Sequence, residues 1–375
     1  MMMTIKQWMR KHCFFLALLV STFLVLIACL PQEPATQPPE LRSDRPRVLI
    51  TTDINIGQGD PDDRQSMAHL LMYADEVNIR GIIPHRFLAG GVKATMLAID
   101  AYEQDYNDTN TRYKSLGYPA PDALRATVAR HPRAARRLLI REAQQATADD
   151  PLYVLVWGNM RTLRDALLKK PAIADRLRVL SIGTHLRSPW DNACHEQNWN
   201  GSGREEIYSD PRFNHLWWIE NDWTFEGMFQ GDAPQELLEQ LKGYGALGRN
   251  IWDVVQPFEW ARYFRAGDTP SLLYVLDPNH SRDKPTQGSW AGQFYQPFPE
   301  TRPNYYTDIH GGNAWDYQDP CRTWTLAQTV YKARVQTLLD RRPMMYEALI
   351  TKLNRLYNQT SADERFSPGA EAFHP

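Results

Sequence analysis

The sequence contains little cysteine and no excess of charge of either sign. Four cysteines occur in 375 residues, and only Cys194 and Cys321 lie beyond residue 29. This excludes a disulfide-rich secreted scaffold, although a single bond between those two residues stays an open alternative. A formal net charge of −2 argues against a nucleic-acid partner, which generally requires a basic surface. With 43% hydrophobic residues, the chain can form the core of a soluble globular domain.

Long apolar runs are also scarce, and the one that stands out lies at the N-terminus. Three basic residues precede an apolar run from Phe14 to Ile27, which is the pattern of a secretory signal. The run ends in Leu26–Cys29, which resembles the bacterial lipobox, where the cysteine is lipidated and becomes the new N-terminus. We therefore expect residues 1–29 to be a lipoprotein signal peptide, with an uncleaved membrane anchor as the alternative.

The segments that follow suggest a tethered domain. Leu30 after Cys29 favours the outer membrane, with the domain facing the periplasm or the cell surface. Residues 30–45 are proline-rich and polar, as expected of an extended tether. A lipid tail would be the sole membrane contact and would leave the domain soluble. We predict one domain over residues 46–358 and a flexible tail over residues 359–375.

Short apolar runs alternate with helical patterns through the predicted domain. Five runs are predicted as strands buried on both faces, namely Val48–Thr52, Ile79–Ile83, Leu152–Trp157, Val179–Ile182 and Leu272–Leu276. Two helices separated near Pro343 are predicted over residues 323–357. This alternation predicts an α/β fold, a mostly parallel open sheet of the Rossmann-like kind with helices on both faces.

A cluster of aspartates lies between the first predicted strand and the helix after it. Asp53, Asp60, Asp62 and Asp63 share one glycine-containing loop. Because ligands of open α/β sheets bind outside the carboxyl ends of the strands, the loop falls where a site is expected. Carboxylates this close repel one another unless a cation compensates them, and Ca²⁺ takes six to eight oxygen ligands. The loop therefore predicts a calcium site.

An EF-hand, a phosphate-binding loop and a capped helix start each fit the four aspartates less well. An EF-hand starting at Asp53 needs glycine at its sixth position and glutamate at its twelfth, where Gln58 and Arg64 stand. A phosphate-cradling loop needs a lysine and few acids. Helix capping explains one or two aspartates near the start of a helix, but not all four.

Two further stretches leave alternatives open. The aromatic segment His215–Trp223 either lines a cleft that stacks on sugars or fills the core. The basic stretch Arg125–Arg141 is explained more simply by a solvated helix face than by an anion site.

Several motifs together resemble a known family. They are "VLITTD…DPDDRQSMAHLL", "LYVLVWGNMRTLRDAL", "GDTPSLLYVL" and "GSWAGQF". They resemble the nucleoside hydrolase-like domain of secreted bacterial proteins, some of them called cellulose-binding, which is related to the inosine–uridine nucleoside hydrolases. The resemblance extends from Pro46 to about Tyr357 and implies a nucleoside hydrolase-like fold.

The resemblance also implies roles for individual residues. Asp53 would be a Ca²⁺ ligand and general base, Asp62 a sugar contact and Asp63 a second ligand. The Trp157 backbone carbonyl would be a further ligand, and Asp268 would be either the last ligand or a helix cap. Asp60 has no counterpart in the hydrolases and is the alternative to Asp53 as ligand and base. Glu220, Asn221 and Trp218 are the candidate substrate contacts that would replace the hydrolases' sugar-binding segment.

The implied reaction is attack of water on an anomeric carbon through an oxocarbenium-like transition state, with Ca²⁺ as the cofactor. The expected substrate is a small glycoside or a nucleoside-like compound, and the expected partner is a carbohydrate. The alternatives are a carbohydrate-binding lipoprotein without catalysis and an envelope protein that keeps Ca²⁺ only for stability. The oligomeric state stays open, a homo-oligomer included.

Overall fold

A parallel sheet forms the centre of the domain. The computed structural model describes residues 45–57, 60–187, 189, 200–309 and 324–358. Within them lie the strands β1 (Arg47–Thr52), β2 (Asn78–Pro84), β3 (Leu152–Trp157), β4 (Leu177–Ile182), β5 (Trp217–Asn221) and β6 (Tyr305–Thr307). They form one sheet in the order β2-β1-β3-β4-β5-β6, and every adjacent pair is parallel. The predicted α/β class is therefore confirmed, and β5 and β6 are strands that the sequence did not predict.

Helices cover both faces of the sheet. They are α1 (Asp62–Met72), α2 (Gly91–Asn107), α3 (Pro121–Ala126), α4 (Pro132–Gln145), α5 (Arg161–Lys169), α6 (Arg204–Tyr208), α7 (Ala233–Leu241), α8 (Gly245–Asp253), α9 (Pro270–Leu276), α10 (Trp324–Leu339) and α11 (Arg342–Leu356). Helices α10 and α11 are the two predicted to be separated near Pro343, which lies in the first turn of α11. None of the helices among the described residues is long and apolar enough to cross a membrane.

Alternate residues of each central strand enter different cores. Val48 and Ile50 of β1 pack in one apolar cluster with α1 and α2, whereas Leu49 packs in a second with α4 and α5. Successive side chains of a strand point to opposite faces, so a strand covered on both sides must be apolar throughout. This explains why β1 and β3 read as uninterrupted apolar runs.

One predicted strand is wrong. Residues Leu272–Leu276, predicted as a strand, belong to helix α9, which begins at Pro270. Proline suits the first turn of a helix, where its missing N–H leaves no bond unmade. Every residue of α9 is buried, so the helix lacks the polar face that normally reveals helical periodicity.

The strand order places a crevice beside β1. The chain passes from β1 to β2 on one side and then to β3 on the other side of β1. At such a reversal the connecting helices lie on opposite faces and leave a gap at the carboxyl ends of the strands. The aspartate loop follows β1 and the segment beginning at Gly158 follows β3, so both border this crevice.

Candidate metal centre

Three carboxylates from distant parts of the chain meet at this crevice. Asp62 and Asp63 open helix α1, and Asp268 lies two residues before α9. One oxygen from each lies within 4.8 Å of the others. Asp63 and Asp268 are buried, and none of the three forms a salt bridge within the described part of the chain. We call these three residues the aspartate cluster.

The aspartate cluster carries uncompensated negative charge. Burial, together with the charges of the neighbouring aspartates, raises the pKa of Asp62, Asp63 and Asp268 well above the usual value for aspartate. The Oδ2 atom of Asp268 is buried and has no hydrogen-bond partner among the residues that the structure describes. Buried carboxylate oxygens rarely lack a partner, because desolvating them costs free energy. Oxygen donors arranged in this way fit a hard divalent cation, which would restore the balance of charge.

Asp53 borders the aspartate cluster and is partly neutralised. Its charge contributes to the raised pKa of Asp63 and of Asp268. Arg86 donates from Nε and Nη2 to its Oδ2 atom at 2.9 and 2.6 Å. A Cβ atom on Gly158 would lie 2.9 Å from the Asp53 backbone nitrogen, so only glycine permits this close approach. Asp53 is thus held between the ends of β2 and β3.

Both oxygens of Asp60 form ion-pair hydrogen bonds, whereas only one oxygen of Asp53 does so with the described residues. Arg265 donates from Nε and Nη2 to its two oxygens, both at 2.7 Å. The same guanidinium lies 4.5 Å from the ring centre of Phe229 and 4.7 Å from that of Trp260. Asp60 keeps 41% of its side chain exposed and lies outside the group of three. Its charge still adds to the raised pKa of Asp62.

Trp157 is the last residue of β3 and pairs in register with Thr52. Its indole Nε1–H donates to the Ser271 hydroxyl at 2.7 Å, which ties β3 to helix α9. The Thr52 hydroxyl in turn donates to Asp63. The end of β3, the end of β1 and the two helices of the aspartate cluster are therefore linked by side-chain bonds.

Glu220, a predicted substrate contact, is buried and bonded to other residues of the protein. Arg204 donates to its two oxygens at 3.0 and 2.8 Å, and the hydroxyls of Tyr305 and Thr184 also donate to them. Burial opposes ionisation, yet the charge and hydrogen bonds of Arg204 lower the pKa of Glu220 to about 2. The carboxylate is 0% exposed and has its partners inside the protein, so it offers nothing to a substrate.

Trp218, another predicted substrate contact, is also buried. The sequence predicts that its side chain contacts the substrate, but it is 2% exposed and packs in the core between the sheet and helices α4 and α5. Its Nε1–H donates to the Ser181 hydroxyl at 2.9 Å. Asn221 differs, because its Oδ1 accepts the Phe225 N–H while its buried Nδ2 has no hydrogen-bond partner among the described residues. Of the three predicted contacts, Asn221 alone has a polar side-chain atom that these residues leave unsatisfied.

A second acidic group lies at the carboxyl end of β5. His185, Glu220 and Asp222 also bring their ligand atoms within 4.8 Å of one another. A cation there would be repelled by Arg204, which already binds Glu220. Asp222 accepts the His185 backbone N–H with Oδ1, and its buried Oδ2 has no hydrogen-bond partner among the described residues but lies 3.9 Å from His185 Nδ1. The described residues thus offer two groups able to hold a metal, and only the aspartate cluster lacks an internal cation.

Several predictions fall outside the described residues. Cys29 and the rest of residues 1–44 belong to them, as do Cys194, Cys321 and residues 359–375. The side chains that sequence reasoning missed are Arg86, Arg204, Arg265 and Tyr305. Nothing near them in the chain marks them, because their acidic partners lie 16 to 205 residues away.

Comparison with protein families gives one match. The model of the family described as cellulose-binding Sde182, nucleoside hydrolase-like domain, matches residues 47–294. No curated protein sequence matches the chain.

Solved structures provide further likenesses. A nucleoside hydrolase-related hypothetical protein from Saccharophagus degradans, associated with carbohydrate metabolism, superposes with a TM-score of 0.51 and 20% identity, covering 79% of this chain and 72% of that one. The inosine-uridine preferring nucleoside hydrolase from Bacillus anthracis gives a TM-score of 0.38 and 17% identity, covering 60% and 81%. The purine-preferring ribonucleoside hydrolase from Gardnerella vaginalis gives 0.40 and 12%, covering 77% and 99%. At 20% identity, the likeness to the Saccharophagus degradans protein shows a shared fold but does not show a shared activity.

Proposed function

Since the chain belongs to the family of the cellulose-binding Sde182, nucleoside hydrolase-like domain, we propose that it hydrolyses the glycosidic bond of a small glycoside or nucleoside-like compound with the help of Ca²⁺. The observation that carries this proposal is the aspartate cluster. Three carboxylates within 4.8 Å of one another lie at the crevice of the sheet without a salt bridge among the described residues. A purely structural cluster would gain stability from an internal cation, as Glu220 does from Arg204.

The donor set favours a hard cation. Asp63 and Asp268 would be the carboxylate ligands, with Asp53 at the border of the site and the Trp157 backbone carbonyl at the end of β3. All of these atoms are oxygens, the ligands that Ca²⁺ takes at 2.3–2.6 Å. When bound, such a cation lowers the pKa of a water molecule and orients it. Nitrogen and sulfur ligands, which would favour zinc, are absent from the aspartate cluster.

The surrounding residues would position the substrate and move one proton. Asp53 is the proposed general base. Its Oδ2 atom accepts from Arg86, whereas its Oδ1 atom has no hydrogen-bond partner in the described chain and could accept a proton. Arg86 fixes the orientation of this carboxylate. Asp62 would accept a hydrogen bond from a sugar hydroxyl, and the buried Nδ2 of Asn221 would donate one. The negative charge of the aspartates would stabilise an oxocarbenium-like transition state.

A second function is favoured by one observation. Trp218 and Glu220 are buried, so two of the sugar contacts that the catalytic interpretation expects do not reach the crevice. A carbohydrate-binding protein that keeps the metal but performs no hydrolysis needs fewer such contacts. Under this alternative, replacing Asp53 would weaken binding of the sugar and there would be no turnover to lose.

The test is hydrolysis of a panel of nucleosides and aryl glycosides by the purified full-length protein. We expect calcium-dependent release of the leaving group that a chelator abolishes. Asp63→Asn should lower kcat/KM by more than about 100-fold, since even residues that only support a metal ligand cost 10–100-fold when removed. Asp122→Asn is the matched control, because Asp122 is 94% exposed on α3. No turnover on any substrate, despite tight binding of calcium, would overturn the hydrolase in favour of the binding protein.

We also propose that the protein is lipid-anchored at the cell envelope. This proposal can be tested independently of enzymatic activity. The support is the signal-like residues 1–29, the tether of residues 30–45 and the single domain after them. Cys29→Ser should release the protein from the membrane fraction of a bacterial host and abolish incorporation of a labelled fatty acid. A variant that stays with the membranes and is still labelled would contradict this.

A further inference from the structure

A basic cavity lies beside the carboxyl ends of β2 and β3, next to the backbone around Asp53. It has a volume of about 320 Å³, and its lining residues include His85, Arg133, Arg136, Asn159, Arg161 and Arg164. The lining comes from the segment after β2, the start of α4, the connection between β3 and α5, and the first turns of α5. We call it the arginine cavity. It has no part in the reaction proposed above.

The arginine cavity carries an excess of positive charge. Its only acidic lining residue, Asp165, pairs with Arg164 at 2.9 Å, and Arg164 also binds Glu206 at 2.7 Å. Arg133, Arg136 and Arg161 form no salt bridge with any described residue. Three positive charges are thus left without an acidic partner around one cavity.

One polar side chain of the arginine cavity lacks partners. Both ring nitrogens of His85 are buried and form no hydrogen bond with any described residue. An imidazole always carries at least one N–H, so His85 has a donor that no described residue satisfies. The first residues of α4 and α5 lie in the wall, and the N-terminus of a helix favours negative charge.

The arginine cavity adjoins the candidate metal centre. The His85 backbone N–H donates to the carbonyl of Thr52, the residue before Asp53, at 2.7 Å. The next residue, Arg86, binds the Asp53 carboxylate, and Asn159 follows the glycine that packs against Asp53. A substrate held at Asp53 would therefore extend a substituent toward Arg136 and His85.

We propose that the arginine cavity binds an oxyanion, the carboxylate, sulfate or phosphate group of an acidic glycoside. The binding of an oxyanion follows from the cavity alone. The idea that this oxyanion is a substituent of the substrate rests on the proposed function. The basic stretch interpreted from sequence as a solvated helix face thus has two roles in α4. Arg133, Arg136 and Arg137 are all exposed, but Arg133 and Arg136 line the arginine cavity and Arg137 does not.

The first experiment is calorimetric titration of the full-length protein with inorganic sulfate, inorganic phosphate and glucuronate. We expect saturable binding of at least one of them, which Arg136→Gln weakens at least fivefold. Arg137→Gln is the matched control, because it removes the same charge from the same helix outside the cavity, and its affinity should stay within twofold of the wild type. Binding of glucuronate alone would point to a uronic acid, and binding of sulfate or phosphate to an ester. No saturable binding, or equal loss in both variants, would overturn the proposal.

Two further measurements separate this inference from the hydrolase proposal. Asp63→Asn should bind the same anion as well as the wild type does, even though it has lost turnover. If the panel of glycosides shows hydrolysis, Arg136→Gln should lower kcat/KM at least fivefold for acidic substrates and leave neutral ones unchanged. An equal loss of kcat/KM for acidic and neutral substrates would show that Arg136 does not recognise the negative charge of the substrate. If no substrate is turned over, the anion titration still decides the arginine cavity by itself.

Discussion

Two groups of buried acids occupy the same edge of the sheet and differ in how their charge is balanced. The aspartate cluster follows β1, whereas Glu220 lies on β5, three strands away in the order of the sheet. At about 4.8 Å per strand this separates them by about 14 Å. Glu220 has Arg204 in contact, and its pKa falls to about 2. Asp62, Asp63 and Asp268 have no such partner, and their pKa values rise.

The difference separates a structural group from a binding group. A carboxylate that finds its cation inside the protein is satisfied when the chain has folded, so it fixes the shape of the loop around it. A cluster that lacks a cation keeps a free-energy deficit until an external ligand supplies the charge. The aspartate cluster is therefore the better candidate for chemistry, although both groups contain buried acids at the expected edge.

The largest expected effect on stability comes from removing Arg204, the cation that balances the charge of Glu220. Arg204→Met would leave Glu220 charged and buried with only hydroxyl partners, and we expect a loss of about 3–5 kcal/mol in the free energy of unfolding. Urea denaturation followed by circular dichroism measures it. The double variant Arg204→Met/Glu220→Gln should regain a substantial part of the lost free energy of unfolding, because it no longer buries an unpaired charge. A single variant as stable as the wild type would show that Glu220 is compensated by other groups.

The two groups should also respond to pH in opposite directions. The folded-state pKa of Glu220, about 2, is below its usual value of 4.5. Its stabilisation is therefore complete above about pH 4.5 and is lost as the pH falls toward 2, an effect on the order of 3 kcal/mol. The raised pKa values of Asp63 and Asp268 give the reverse sign in metal-free protein. Their contribution is present below about pH 3.8 and is lost as the pH rises through the folded-state values.

Unfolding in urea from pH 3 to 8, with a chelator present, tests this contrast. The double variant Arg204→Met/Glu220→Gln should lose part of the decline on the acid side. Asp63→Asn should flatten the decline toward neutral pH and leave the acid side unchanged. Identical profiles for the wild type and both variants would show that neither group sets the pH dependence.

Calcium provides a test of which group binds metal. At a calcium concentration 100 times the dissociation constant, we expect the midpoint of thermal unfolding to rise with a stabilisation of about 2.7 kcal/mol. Asp63→Asn should abolish this gain, whereas Asp222→Asn, at the second candidate group, should retain it. The opposite result would move the metal to His185, Glu220 and Asp222.

The sequence could predict those parts of the site that lie close together in the chain. Asp53, Asp62 and Asp63 follow one apolar run, and the end of a buried strand is where a site is expected. Asp268 lies 205 residues after Asp63, so a family resemblance predicts it and no spacing points to it. Arg204 and Tyr305 cannot be predicted from the sequence, because a pairing across the fold leaves no local pattern, and for the same reason the sequence does not reveal that Glu220 has buried partners.

The errors in the fold have an equally physical cause. Helix α9 is buried on all sides, so its apolar run has the composition of a buried strand. Strand β5 has the composition of a polar binding segment because it contains Glu220 and Asn221, and only the buried partners of these residues explain their presence in a core strand. Local pattern fails where tertiary contacts satisfy polar groups.

The smallest expected effect separates Asp53 from Asp60 as the base. Asp60 is 41% exposed and is held at both oxygens by Arg265, and an exposed ion pair contributes at most about 1 kcal/mol. Asp60→Asn should therefore lower kcat/KM by less than about tenfold, the equivalent of 1.4 kcal/mol. Asp53→Asn should lower it by about 10²–10⁴-fold, the usual contribution of a general base. If the two variants lose activity equally, proton transfer involves both carboxylates; if Asp60→Asn loses more, the ion pair with Arg265 opens when substrate binds, and the base is Asp60.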